Sequence, residues 1–231
     1  MTHSDNKKHI LFIYTSVSET LLGKPTGWYL PEAAQPYYIL LPHFHITFAS
    51  PAGPNPPVAV GSVERYKEDE DCAKFLVDPT VKEKFDTALK LSEVNPADYA
   101  GVFYPGGHGP AIDLPFDEDN IKIASELFRA KKPVAAVCHG PCAIVSATDA
   151  EGQPIVKGRT VTGLSNEEEK LGGKEKDVPF LLETKLIEQG GNYVKADQPF
   201  EPKVVVDGHL ITGQNPKSSK LVAEELVKLL S

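Results

Sequence analysis

The stretch Pro133-Val134-Ala135-Ala136-Val137-Cys138-His139-Gly140-Pro141 decides the fold class. Four apolar residues run straight into a cysteine, and a glycine–proline pair follows. An unbroken apolar run of this length, bounded by turn formers, reads as a strand covered on both faces of a parallel sheet. Gly140 suits a tight turn and Pro141 the first position of a helix, read here over residues 140–147. A strand that turns sharply into a helix lifts one side chain above the sheet, the geometry of a nucleophile elbow. Cys138 holds that place. Free backbone N–H groups and the positive helix end stabilise a thiolate, so the expected thiol pKa is lowered. The same N–H groups can hold an oxyanion. His139 can act as general acid and base if its ring folds back toward the sulfur.

Working outward, short apolar runs alternate with amphipathic stretches. Strands are read over residues 10–14, 45–49, 102–104, 134–137 and 159–162. Helices are read over 27–41, with Thr26 as N-cap, and over 81–91, 117–130 and 178–189. Asp207-Gly208 between 204–206 and 210–212 marks a hairpin. Asn215 and Pro216 then open a last helix that runs to Leu230. This order argues for an α/β sandwich of three layers around a mainly parallel sheet. The proline-rich segment from Pro51 to Pro57 is a loop, and the acidic run from Glu68 to Asp71 is a solvated face or a helix entry. Residues 1–8 read as a polar tail and 9–231 as one domain.

Ligands of such sheets bind at the carboxyl ends of the strands, where the turns after Tyr104 and Val137 both lie. The first of these turns is Gly106-Gly107-His108-Gly109. Its glycine amides, Gly107 above all, are candidate oxyanion donors, and His108 either points into the site beside the substrate or caps the turn. It matches neither a phosphate-binding P-loop nor a dinucleotide fingerprint. Cys72 lies outside both turns and Cys142 one helical turn deeper, so both read as structural. Only His43 and His45 have ligand-like spacing, and they read as ordinary strand positions. Neither a metal nor an organic cofactor is expected.

Twenty-four Lys and Arg against 32 Asp and Glu leave a net charge of −8. That balance argues against binding a nucleic-acid backbone and for small molecules or proteins as partners. No apolar run approaches the ~20 residues needed to span a bilayer. The first apolar run is too short for a secretory signal, and three cysteines make no disulfide framework. The chain is therefore placed in the cytoplasm, with the nucleus left open.

Ala135-Ala136-Val137-Cys138-His139-Gly140-Pro141 with Gly107-His108-Gly109 resembles the ThiJ/PfpI superfamily, and more narrowly its glyoxalase III branch, which includes small fungal heat-shock chaperones. Supporting segments are Thr26-Gly27 with Pro31-Glu32-Ala33, Asn95 to Tyr99, Asp113-Leu114-Pro115, Gly158 to Gly163, and Asp207 to Gly213 with Asn215-Pro216. The resemblance implies a flavodoxin-like sandwich and a homodimer. It implies Cys138 as nucleophile, His139 as its partner, Glu32 near the sulfur, and an acid orienting His139 that counts to Glu169. Ser165-Asn166-Glu167-Glu168 also reads as a capping box, which occupies Glu168 and leaves Glu169 or Glu167 for the site. The implied activity is glutathione-independent conversion of methylglyoxal to lactate through a cysteine hemithioacetal. The alternatives are a stress-response holdase for unfolded clients, or a cysteine peptidase, amidase or protein deglycase using the same site. Departures at Trp28-Tyr29-Leu30-Pro31, Tyr104-Pro105-Gly106 and 51–57 bear on pocket shape and substrate.

Overall fold

A computed structural model describes residues 7–231, so most of the expected polar tail lies outside the described residues. The strands are β1 (His9–Ile13), β2 (His45–Ser50), β3 (Leu89–Lys90), β4 (Gly101–Tyr104), β5 (Val134–Val137), β6 (Thr160–Val161), β7 (Asn192–Tyr193), β8 (Val204–Asp207) and β9 (Leu210–Gly213). The helices are α1 (Leu30–Leu40), α2 (Val60–Tyr66), α3 (Glu70–Val77), α4 (Pro79–Asp86), α5 (Glu118–Arg129), α6 (Asn166–Gly172), α7 (Leu182–Glu188) and α8 (Ser219–Leu230). Seven strands form one sheet in the order β3-β2-β1-β4-β5-β9-β8. All its pairings are parallel except the β8–β9 hairpin, which turns at Asp207-Gly208 as its sequence requires.

Alternation along the strands sorts the core into two layers. Leu11, Ile13, Val102, Tyr104, Val134 and Ala136 face one side, packed with Ile123, Leu127 and Phe128 of α5. Ile10, Phe12, Phe103, Ala135 and Val137 face the other, packed with α1 and α8. Both faces are covered, which is why β1, β4 and β5 read as unbroken apolar runs. The result is the flavodoxin-like three-layer α/β sandwich expected from the sequence. No helix among the described residues is long and apolar enough to cross a membrane.

Several boundaries differ from the sequence reading. The first helix opens at Leu30, not Gly27, and Thr26 does not cap it. Residues 27–29 stay extended because Trp28 exchanges bonds with the 57–59 segment, its N–H to Pro57 O at 3.0 Å and its C=O from Ala59 N at 2.8 Å. A Cβ at Gly27 would lie 2.1 Å from Pro57 O, so only glycine permits the crossing. The Leu30 amide donates to Ser62 Oγ of α2 at 3.0 Å, a cap supplied from another element. The helix expected over 81–91 is α4, which starts earlier on the Asp78 cap and gives way to β3. Residues 140–144 form a 3-10 segment in place of an α-helix. There the buried Asn120 side chain donates to Ala143 O at 2.7 Å, taking a carbonyl that a longer helix would use. The strand expected over 159–162 is β6, which pairs with β7 outside the main sheet. Helices α2 and α3 are not among the helices read from the sequence, although Asp69, within the acidic run, caps α3 through the Cys72 amide at 3.0 Å.

Candidate active site

Four segments converge at the carboxyl ends of β4 and β5. The β5 turn delivers Cys138, whose φ of 61° is a left-handed conformation rare for a non-glycine residue. The strained elbow read from the sequence is therefore present. Its backbone is held by Cys138 N donating to Gly213 O and by Leu164 N donating to Cys138 O, both at 2.9 Å. Because the Cys138 amide is spent on the sheet, it is not the oxyanion donor expected of this turn. The amides of Gly107 and His139 donate to none of the described residues, and both residues line the cavity above the sulfur.

Glu32, in the first turn of α1, is wholly buried beside the sulfur. Its Oε2 accepts from Gly106 N at 2.7 Å, and its carboxyl lies beside the Cys138 thiol and interacts with it. Oε1 accepts no hydrogen bond from the described residues. A Cβ at Gly106 would lie 2.6 Å from Glu32 Oε2 and 2.7 Å from His139 N, so glycine is needed for this approach. Burial raises the Glu32 pKa to about 8, against the weaker opposing pull of the Cys138 and Gly106 hydrogen bonds. At neutral pH the group is mostly a neutral acid that can donate.

Cys138 is 6% exposed. Burial pushes its pKa up, and Glu32, which carries charge once it ionises, together with the negative charge of Glu169 and Glu168, adds to that. This reverses the lowered pKa expected from the elbow. The segment that follows is a short 3-10 turn with little dipole, and the groups facing the sulfur are carboxyls rather than cations. The resting nucleophile is therefore a thiol that ionises when its proton leaves. His139 is placed to take that proton, with Nδ1 3.8 Å from Sγ.

Glu169 completes the array from the first turn of α6. Its Oε2 lies 2.5 Å from His139 Nε2 and its Oε1 lies 3.0 Å from His108 Nε2. The two imidazole rings stand 4.5 Å apart. Burial alone would raise the Glu169 pKa, but the charge of His139 and the hydrogen bonds from both histidines outweigh it and hold the group far down. Burial and the neighbouring His139 lower the pKa of His108, so its ring is neutral. His108, expected near the substrate, lines the cavity but spends Nε2 on Glu169.

The neighbouring glutamates separate cleanly. Glu167 is exposed and pairs with Lys195 at 3.2 Å. Glu168 is the capping-box acid, and its oxygens accept from Ser165 N, Ser165 Oγ, Gln214 Nε2, Asn215 Nδ2 and Phe200 N. Cys72 and Cys142 are fully buried and line no part of the cavity. His43 and His45 also lie outside its lining.

The cavity above Cys138 has a volume of about 270 Å³. Tyr29, Arg65, Tyr66 and Phe200 form its outer wall. Tyr66 and Arg65 escape the sequence reading because they sit on α2, whose seven residues carry no clear apolar period. Tyr29 and Tyr66 meet edge to face at 5.8 Å, and the Arg65 guanidinium acts on the Tyr29 hydroxyl from beside it. Among the described residues, those grouped so that they could hold a metal are His108, His139 and Glu169, whose ligand atoms all lie within 4.8 Å of one another.

Comparison with known proteins places this arrangement among relatives. The DJ-1/PfpI family model matches residues 42–229. Glyoxalase 3 of Candida albicans is 30% identical over 230 residues, covering 94% of this chain and 96% of that protein. Glutathione-independent glyoxalase HSP31 of Saccharomyces cerevisiae is 29% identical, over 96% and 98% of the two chains. Among solved structures, glyoxalase III from Candida albicans superposes with a TM-score of 0.86 at 26% identity, covering 96% of each chain. The Rapid Encystment Protein 24 kDa of Francisella tularensis superposes with a TM-score of 0.91 at 32% identity, covering 97% and 99%.

Proposed function

The chain belongs to the DJ-1/PfpI family, and from that premise we propose that it is a glutathione-independent glyoxalase that converts methylglyoxal and water to lactate. The observation that carries the proposal is the buried line Glu32–Cys138–His139–Glu169 at the floor of a cavity. A nucleophile, a base within reach of it and an acid orienting that base are what carbonyl addition and proton transfer require.

His139 Nδ1 accepts the thiol proton as Sγ attacks the aldehyde carbon, forming a C–S bond and a hemithioacetal. The oxygen that becomes negative is received by the free amides of Gly107 and His139. The neutral Glu32 carboxyl donates toward the sulfur and offsets its charge while it is a thiolate. His139 gives the thiol proton to the oxygen that became negative, which completes the hemithioacetal and leaves the ring neutral again. It then takes the proton on the former aldehyde carbon and delivers it to the neighbouring carbonyl oxygen, giving an enediol. The hydroxyl proton of the sulfur-bearing carbon next passes through His139 to the neighbouring carbon. The product is a lactoyl thioester on Cys138. Water cleaves it, releasing lactate and restoring the thiol with His139 as base. Glu169 keeps Nε2–H bonded, so that the accepting lone pair stays on Nδ1, facing the sulfur. The same reading includes a homodimer, to be measured by sedimentation.

The test uses methylglyoxal with no added thiol, with lactate as the readout. The wild-type chain forms lactate, and Cys138→Ala forms none while its melting temperature stays within a few degrees. Lactate formation by Cys138→Ala at the wild-type rate, or none by the wild type, would overturn the proposal.

A further inference from the structure

The geometry points to a second use of His108, His139 and Glu169: together they bind one zinc ion that switches the site off. Two histidine Nε2 atoms converge on one carboxylate, each facing its own oxygen, at 3.0 Å for His108 and 2.5 Å for His139. Two histidines and a glutamate are a recurring zinc donor set, with water in the fourth position. Ligands at ~2.0–2.1 Å from a tetrahedral zinc stand roughly 3.3 Å apart. No pair among the three ligand atoms here is separated by more than 4.8 Å. Side-chain rotations that move these atoms by about 1.5 Å or less bring them to that spacing. The ion has a way in, because the His108 side chain is 25% exposed at the cavity wall while Glu169 and His139 form the buried base.

Two imidazole donors select zinc over magnesium or calcium, which prefer oxygen. The sulfur is not part of the set, since it faces the other nitrogen of His139. Lys174 acts on His108 as a nearby positive charge, and Asp177 partly neutralises it from 3.3 Å. The residual positive charge opposes the approach of the ion.

Inhibition follows from the tautomer. A neutral imidazole bound through Nε2 carries its proton on Nδ1. On His139 that is the nitrogen facing Cys138, so it can no longer accept the thiol proton. The proton on Nε2 moves to Nδ1 or to buffer as the metal–nitrogen bond forms, and no redox change occurs. The inhibition, though not the binding, rests on the proposed glyoxalase reading.

The experiment titrates untagged, chelator-treated full-length chain with zinc sulfate by calorimetry, using wild type, Cys138→Ser, His108→Ala and Glu169→Gln, each checked by melting. The expected result is one zinc per chain with a micromolar Kd in the wild type and in Cys138→Ser. Binding weakens at least tenfold in His108→Ala and in Glu169→Gln, and magnesium does not compete. Zinc abolishes wild-type lactate formation over the same concentration range, and a chelator restores it. Zinc binding unchanged in both His108→Ala and Glu169→Gln, binding lost in Cys138→Ser, or no wild-type binding below millimolar zinc would overturn the inference. If the wild type makes no lactate but calorimetry gives the expected pattern, the zinc site stands and the glyoxalase reading falls.

Discussion

Glu32 on α1 and Glu169 on α6 flank the same Cys138–His139 pair from opposite ends, and both are almost fully buried. Their protonation is nonetheless opposite. Glu32 receives one backbone amide and faces a thiol, with no cation near it, and burial wins. Glu169 receives two imidazoles, and the charge of His139 with the hydrogen bonds from both rings wins. Burial by itself therefore does not decide the charge of a carboxyl; the donors that enter the burial do. Two carboxyls with pKa values driven apart make one end of the site an acid and the other a fixed anion, a division that proton-shuttling chemistry needs. Glu168 is a third case, one residue from Glu169. It also gathers donors, yet every one comes from the scaffold and none from the catalytic pair.

The comparison breaks first at Glu169. Replacing it by glutamine keeps the shape but lets the amide favour the wrong His139 tautomer. Turnover of methylglyoxal should fall by roughly 10- to 10⁴-fold, with a melting temperature near that of the wild type. Initial rates and melting curves on the same preparation check both halves.

Glu168→Gln should do the reverse. The amide cannot accept with both former oxygens, and it places an NH2 among donors from Ser165, Gln214, Asn215 and Phe200. The expected loss is on the order of 1–3 kcal/mol of stability, because charge-assisted bonds are replaced and donors are left unpaired. Turnover per folded molecule should change only a few-fold. An inactive, fully stable Glu168→Gln beside a wild-type-like Glu169→Gln would exchange the two roles.

Much of the frame around this contrast is legible in the amino-acid sequence. The apolar run into Cys138, the glycine turn after β4 and the Asp207-Gly208 hairpin are strong local signals, and the layers follow from them. Ser165 and Glu168 announce a capping box by spacing alone. Glu32 and Glu169 come from the family resemblance, because a single acid on a helix carries no sign of what it faces. Helices α2 and α3 are short and held by tertiary contacts such as Leu30 N to Ser62 Oγ, so their own periodicity is weak. With α2 unread, the cavity wall of Arg65 and Tyr66 stays unread too. The direction of the Cys138 shift is legible least of all. An elbow suggests a positive environment, but the sign depends on carboxyls brought in from α1 and α6, far away in the chain.

The measurement closest to the centre of this account is the protonation state of Glu32. Infrared spectroscopy of the resting chain in the carboxylic-acid C=O region, titrated from pH 6 to 10, reads it directly. The expected result is a protonated-carboxyl band at pH 7 that fades as the pH passes about 8, is absent from Glu32→Gln and persists in Glu169→Gln. A band missing at pH 7, or one removed by Glu169→Gln and kept by Glu32→Gln, would contradict it.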